Sequence, residues 1–109
     1  MARMPDTQWV CGWASGLNTI AWNARGLRDA GQLDDATYDA RVDAVELAWT
    51  VYPKNHSEVD GDASGVRRVA ESGVDYFDDA FQSAMQKLNA SCVEHDSVMI
   101  LSTVKSLGG

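Results

Sequence analysis

The chain has 109 residues, enough to enclose one core and too few for two, and 16 acidic residues against 9 basic ones leave a net charge of −7. That balance sets nucleic acid and anionic membranes aside as direct partners, because contacts to phosphate need lysine and arginine. The chain is 45% hydrophobic and carries Trp9, Trp13, Trp22, Trp49, Phe77 and Phe81, the large apolar surfaces that disordered segments lack, so a single domain over 1–109 is expected.

In chain order, the first helix is expected from Asp6, its N-cap, with Trp9, Trp13, Leu17, Ile20, Ala24 and Leu27 recurring at spacings of three and four as the buried stripe. It should stop near Asp29 or Ala30, where Gly31 supplies a left-handed C-cap. Asp34 then caps a second helix, with Leu33 before it and Tyr38 after it placed to form a hydrophobic staple. Tyr38, Val42, Val45, Trp49 and Tyr52 form a heptad seam that Pro53 ends, so the first two helices should make an antiparallel hairpin. The polar stretch 53–65 reads as one long loop. A third helix is expected from about Ser64 to Asn89, with Val66, Val69, Ala70, Val74, Phe77, Phe81, Ala84, Met85 and Leu88 on its apolar face and Gly73 as an internal weak point. A short helix over 97–107 completes the expected architecture: an all-α bundle of three long helices plus a short C-terminal one.

The stretch from Leu27 to Val45, LRDAGQLDDATYDARVDAV, resembles the helix-turn-helix hairpin known as SHOCT in its L-x-x-A-G turn, acidic cap and following aromatic. The resemblance implies an interaction and assembly element without catalytic residues.

Two stretches carry residues of the kind that bind metal ions. DGDASGVRRVAE places Asp60, Asp62, Ser64, Gly65 and Glu71 at the oxygen-ligand and glycine positions of a calcium loop, but Arg67 sits inside it and Pro53 breaks the entering helix. Cys92 and His95 stand one turn apart, with Cys11 or His56 as further zinc ligands, yet the paired short spacings of a zinc site are missing. Neither that pair nor any other group supplies a nucleophile, a base and an oxyanion loop together, so no enzyme and no cofactor is expected. No apolar run reaches the roughly 18 residues of a membrane span, and Gly12, Ser15, Gly16 and Asn18 interrupt what would be a signal peptide's apolar region. The expectation is a cytoplasmic chain whose Cys11 and Cys92 are buried thiols, a disulfide between them being the minor option. Asn55-His56-Ser57 and Asn89-Ala90-Ser91 then match the glycosylation acceptor pattern by chance.

The acidic residues point to binding. On the second helix Asp35, Asp39, Asp43 and Glu46 recur about one turn apart, some 5 to 6 Å, which is near the phosphate spacing of a nucleic-acid strand. Glu71, Asp75, Asp78 and Asp79 repeat the pattern on the expected third helix, with Arg41, Arg67 and Arg68 as the counter-charges between Asp34 and Asp79. Trp22 lies opposite the expected stripe of the first helix, as a second contact layer or an exposed anchor, and Gly12 and Gly16 allow a close approach of another backbone. In size, acidity and helical make-up the chain is similar to phage-encoded inhibitors of the anti-CRISPR kind, which implies a non-catalytic protein that occupies a basic, nucleic-acid-binding surface of a partner. The rival readings are a self-associating helical scaffold, dimerising through the Trp22 side and the glycine face, and a weak calcium module.

Overall fold

The computed structural model describes residues 6–95, which form four helices, α1 (Asp6–Asp29), α2 (Asp35–Thr50), α3 (Asp60–Glu71) and α4 (Asp79–Glu94), with no strand among the described residues. The all-α class therefore holds. The capping expected of the Asp6 side chain and the short helix over 97–107 lie outside what the structure describes.

α1 and α2 pack as one hairpin, α3 and α4 as a second, and α2 against α3 joins the two. The first turn is built as its residues require. Gly31 takes φ 75°, its N–H donates to the Arg28 carbonyl (2.9 Å), and the Gln32 N–H reaches back to Leu27 (2.8 Å), the paired bonds of a Schellman ending. Asp34 caps α2 by accepting from the Thr37 N–H at 2.7 Å. Tyr38, Val42, Val45, Trp49 and Tyr52 are all buried, and the Trp49 ring meets Trp13 edge-on at 4.9 Å and Tyr52 at 5.7 Å. The Trp49 indole N–H is buried in this cluster with no acceptor.

Two expectations need correction. The buried face of α1 is Thr7, Val10, Cys11, Ala14, Asn18, Ala21 and Ala24, whereas Trp9 and Ile20 of the expected stripe are exposed and Trp13, Leu17 and Leu27 only half-buried. Small residues occupy the seam because α1 contacts all three other helices, and the backbones approach only where side chains are short. The expected third helix is two helices. α3 begins at Asp60 and ends at Glu71 with Ser72 as its C-cap, Gly73 turns the chain at φ 88°, and Asp78 starts α4 by accepting from the Ala80 N–H (3.0 Å). Each new helix carries its own buried row, Ala63, Val66 and Ala70 after Val59 on α3, and Phe81, Met85, Leu88 and Cys92 on α4.

The cysteines are not free thiols. Cys11 of α1 and Cys92 of α4 form a disulfide, S–S 2.10 Å and Cα–Cα 6.1 Å, across a sequence separation of 81 residues. Both belong to the buried rows of their helices, so the bridge lies in the core. A cross-link over that separation removes about 4 to 5 kcal/mol of chain entropy from the unfolded state. The double variant C11A/C92A is expected to lose about 3 to 5 kcal/mol of unfolding free energy in urea titrations; coincident midpoints would show that the bridge does not stabilise the bundle.

Candidate binding surfaces

The expected acidic residues divide into two groups once their surroundings are drawn. Glu46, Asp75, Asp78 and Glu71 have jobs inside the molecule. Glu46 Oε2 accepts from the Tyr76 N–H at 2.7 Å, tying α2 to the α3–α4 connection. Asp75 Oδ2 accepts from the Phe77 N–H (2.9 Å), Asp78 is the cap of α4, and Glu71 pairs with Arg67 at 3.3 Å. Glu71, Asp75, Asp78 and Asp79 therefore share no helix face: they are distributed over the end of α3, the connection and the start of α4.

Asp35, Asp39 and Asp43 behave differently. All three are exposed on α2, and among the described residues none of them takes part in an ion pair or a side-chain hydrogen bond; Asp79, at the start of α4, is likewise exposed and unpaired. Continuing α2 at the same spacing of four reaches Leu47 and Val51, which are 66% and 68% exposed. One ridge of neighbouring side chains, Asp35-Asp39-Asp43-Leu47 on α2 and Val51 at its C-cap, is thus acidic in its first part and apolar in its second. The apolar part escaped the sequence reading, although the four-residue spacing from Asp43 through Leu47 to Val51, off the Tyr38–Trp49 seam, was visible there.

Trp22 is not a free anchor. It is half-buried, meets Phe77 edge-on at 5.0 Å, and lies beneath the Arg25 guanidinium, which sits 5.4 Å from its ring and 4.7 Å from that of Phe77. Arg28 stacks on Tyr38 in the same way at 3.9 Å. Both arginines of the α1 end face aromatic rings, and the acids beside them are left without strong counter-charges; Arg28 and Asp29 approach only to 3.9 Å.

The calcium-loop residues lie on α3, and this is a correction to the loop expected at 53–65. A helix turns successive residues about 100° apart, so Asp62 points to the side of α3 opposite Asp60 and Ser64 and the three do not enclose an ion. Asp60 Oδ1 instead accepts from the Tyr52 hydroxyl (2.8 Å) and the Asn55 N–H (3.2 Å), closing the 51–59 loop onto α3. Burial, reinforced by the Asp60 carboxylate, pushes the Tyr52 phenol well above its ordinary range. Of the zinc candidates, Cys11 and Cys92 are joined to each other, His56 is exposed in the loop, and His95 faces Glu58 (3.5 Å) and the Ser91 carbonyl (2.8 Å). Among the described residues no three acidic, histidine or cysteine side chains gather as metal ligands. The Asn55 amide donates to the Tyr52 hydroxyl and the Pro53 carbonyl.

A shallow cleft of about 310 Å³ runs between α3 and α4, lined by Gly61, Gly65, Ala80 and Ala84 and by Arg68 and Lys87, neither of which is ion-paired among the described residues. No described helix is long and apolar enough to cross a membrane. No family model matches the chain, and comparison with curated proteins and with solved structures gives no match either.

Glu46 yields a test of the tether. Burial raises its carboxyl above the ordinary glutamate value, with Asp75 and Asp43 adding to the rise and the Tyr76 N–H opposing it. A carboxylate whose folded-state value is raised costs stability while ionised, and that cost disappears as the pH falls through the folded-state value. E46Q, which keeps the acceptor without the charge, should melt above wild type at neutral pH, the two converging at a pH below the ordinary glutamate value. E46A should melt lower at both, by about 1 to 3 kcal/mol, because it orphans the Tyr76 N–H. Thermal melts at the two pH values check both; an E46Q difference that does not change with pH contradicts the assignment.

Proposed function

We propose that this chain is a non-catalytic binding protein of the inhibitor kind, which docks the outer row of α2 on a basic surface of a partner that handles nucleic acid. The observation that carries the reading is the row Asp35-Asp39-Asp43-Leu47-Val51, unpaired and exposed throughout. Carboxylates spaced one turn apart repel each other by a few tenths of a kcal/mol per pair, a cost that a basic partner removes on binding. Charge of this kind speeds encounter and is weakened by salt, whereas adjacent desolvated aliphatic side chains slow release. Leu47 and Val51 take the anchoring part expected of Trp22. Glu46, Glu71, Asp75 and Asp78 drop out of the proposed contact set because their carboxylates hold backbone or an internal arginine.

The anti-CRISPR-like version of this reading rests on size, acidity and helical make-up alone, and so does its cytoplasmic setting. The disulfide pulls the other way, since such bridges persist in oxidising compartments. Alkylating the thiols at the moment of lysis decides it: a cytoplasmic site of action expects Cys11 and Cys92 to be trapped as alkylated thiols, and a disulfide-bonded pair that escapes alkylation moves the proposed action to an oxidising compartment.

Binding itself is tested by pull-down from a lysate of the producing organism's host at low and high salt, with wild type, D35N/D39N/D43N and L47S/V51S. Wild type is expected to retain basic, nucleic-acid-handling proteins at low salt, and each variant to retain them at least about tenfold less. Retained proteins that are not basic, or retention indifferent to both variants, contradict the proposal.

A further inference from the structure

We infer that the outer face of α1 is a docking surface for a second copy of this chain, two α1 helices crossing antiparallel about the Gly12–Gly16 turn. The core-facing residues of α1 are Thr7, Val10, Cys11, Ala14, Asn18 and Ala21. With side chains stepping about 100° per residue, Trp9, Gly12, Gly16 and Ile20 fall on the opposite side. All four are exposed, Trp9 by 41% and Ile20 by 47%, large values for side chains of that size and apolarity.

Charge selects the occupant. From Thr7 to Ala24 there is no Asp, Glu, Lys, Arg or His, in a chain that carries −7 overall. Two copies that meet through this face add no like charges at the contact, whereas the α2 row would oppose carboxylate to carboxylate. Geometry selects it too. The midpoint of Gly12 and Gly16 is Ala14, and that of Trp9 and Ile20 falls between Ala14 and Ser15, so a two-fold axis there brings each Trp9 beside the Ile20 of the other copy. That is the self-complementarity an isologous interface requires.

The glycines supply the close approach. Within a helix each is worse than alanine by about 0.5 to 1 kcal/mol, yet a Cβ built at Gly12 or Gly16 meets nothing within 4 Å. Among the described residues nothing requires their lack of a side chain, and a helix crossing outside would use it. A single helix pair over part of a length of about 36 Å buries less than a standard interface, so the association is expected in the micromolar range. The inference stands apart from the α2 row, which uses other residues.

Sedimentation velocity on the full chain from about 5 to about 500 µM tests it, since a self-associating species changes with concentration. Wild type should pass from one copy to two, and G12L/G16L and I20K should each weaken the association at least about tenfold. G12L/G16L has room for its Cβ atoms and gains helix propensity, so it should melt no lower than wild type; I20K provides the second variant, at a position already exposed. A wild type that stays monomeric throughout, or a dimer that survives both variants, overturns the inference. If the α2 row still binds its partner while wild type is monomeric, the dimer alone is lost.

Discussion

The Cys11–Cys92 bridge is the constraint on which the arrangement depends. α1 packs chiefly on α2, and α3 on α4, while the edge where α1 meets α4 has few contacts of its own. The disulfide closes that edge in the core, and polar ties hold the rest of the second hairpin. The Tyr76 hydroxyl donates to Asn18 on α1 at 2.5 Å, the Tyr76 N–H donates to Glu46 on α2, and Gln82 donates back to the Tyr76 carbonyl at 2.8 Å. Tyr76 is fully buried, and burial pushes its phenol far above the ordinary range, which favours the protonated, donating form. The connection between α3 and α4 is therefore anchored to the bundle through Tyr76.

That arrangement explains why an acidic composition does two separate things in one small chain. Asp34 and Asp78 start helices, Asp75 and Glu46 hold backbone N–H groups, and Asp60 closes a loop; each accepts a hydrogen bond that an uncharged apolar residue could not. The Thr37 N–H bond holds the Asp34 carboxyl below its usual value. Asp35, Asp39 and Asp43 make no such bonds, and they line the side of α2 away from its seam. Net charge alone does not distinguish the two sets; hydrogen-bond partners do.

The parts of the fold legible from sequence were those written in local chemistry. Gly31, Asp34 and the seam from Tyr38 to Tyr52 each act within one or two turns, and the structure has all of them where they were expected. The phase of α1 was not legible, because its residues from Thr7 to Ala24 carry no charge to mark the wet side, and the larger apolar side chains were mistaken for the buried ones. The break at Gly73 was hidden by apolar residues that continue through it, although Ser72-Gly73 and the following Asp75 and Asp78 are turn and cap signals. Of the acidic surface, Asp35, Asp39 and Asp43 were legible. The engagement of Glu46 depends on Tyr76, thirty residues away in sequence, and the pairing of Cys11 with Cys92 is a tertiary fact of the same sort.

Non-reducing peptide mapping of the folded chain, with thiols blocked before digestion, tests the bundle most directly. A single cross-linked pair is expected, joining the peptide that contains Cys11 to the one that contains Cys92, with no blocked cysteine at either position. Both cysteines recovered as separate, alkylated peptides from protein handled without reductant would contradict the closure of α1 on α4 described here.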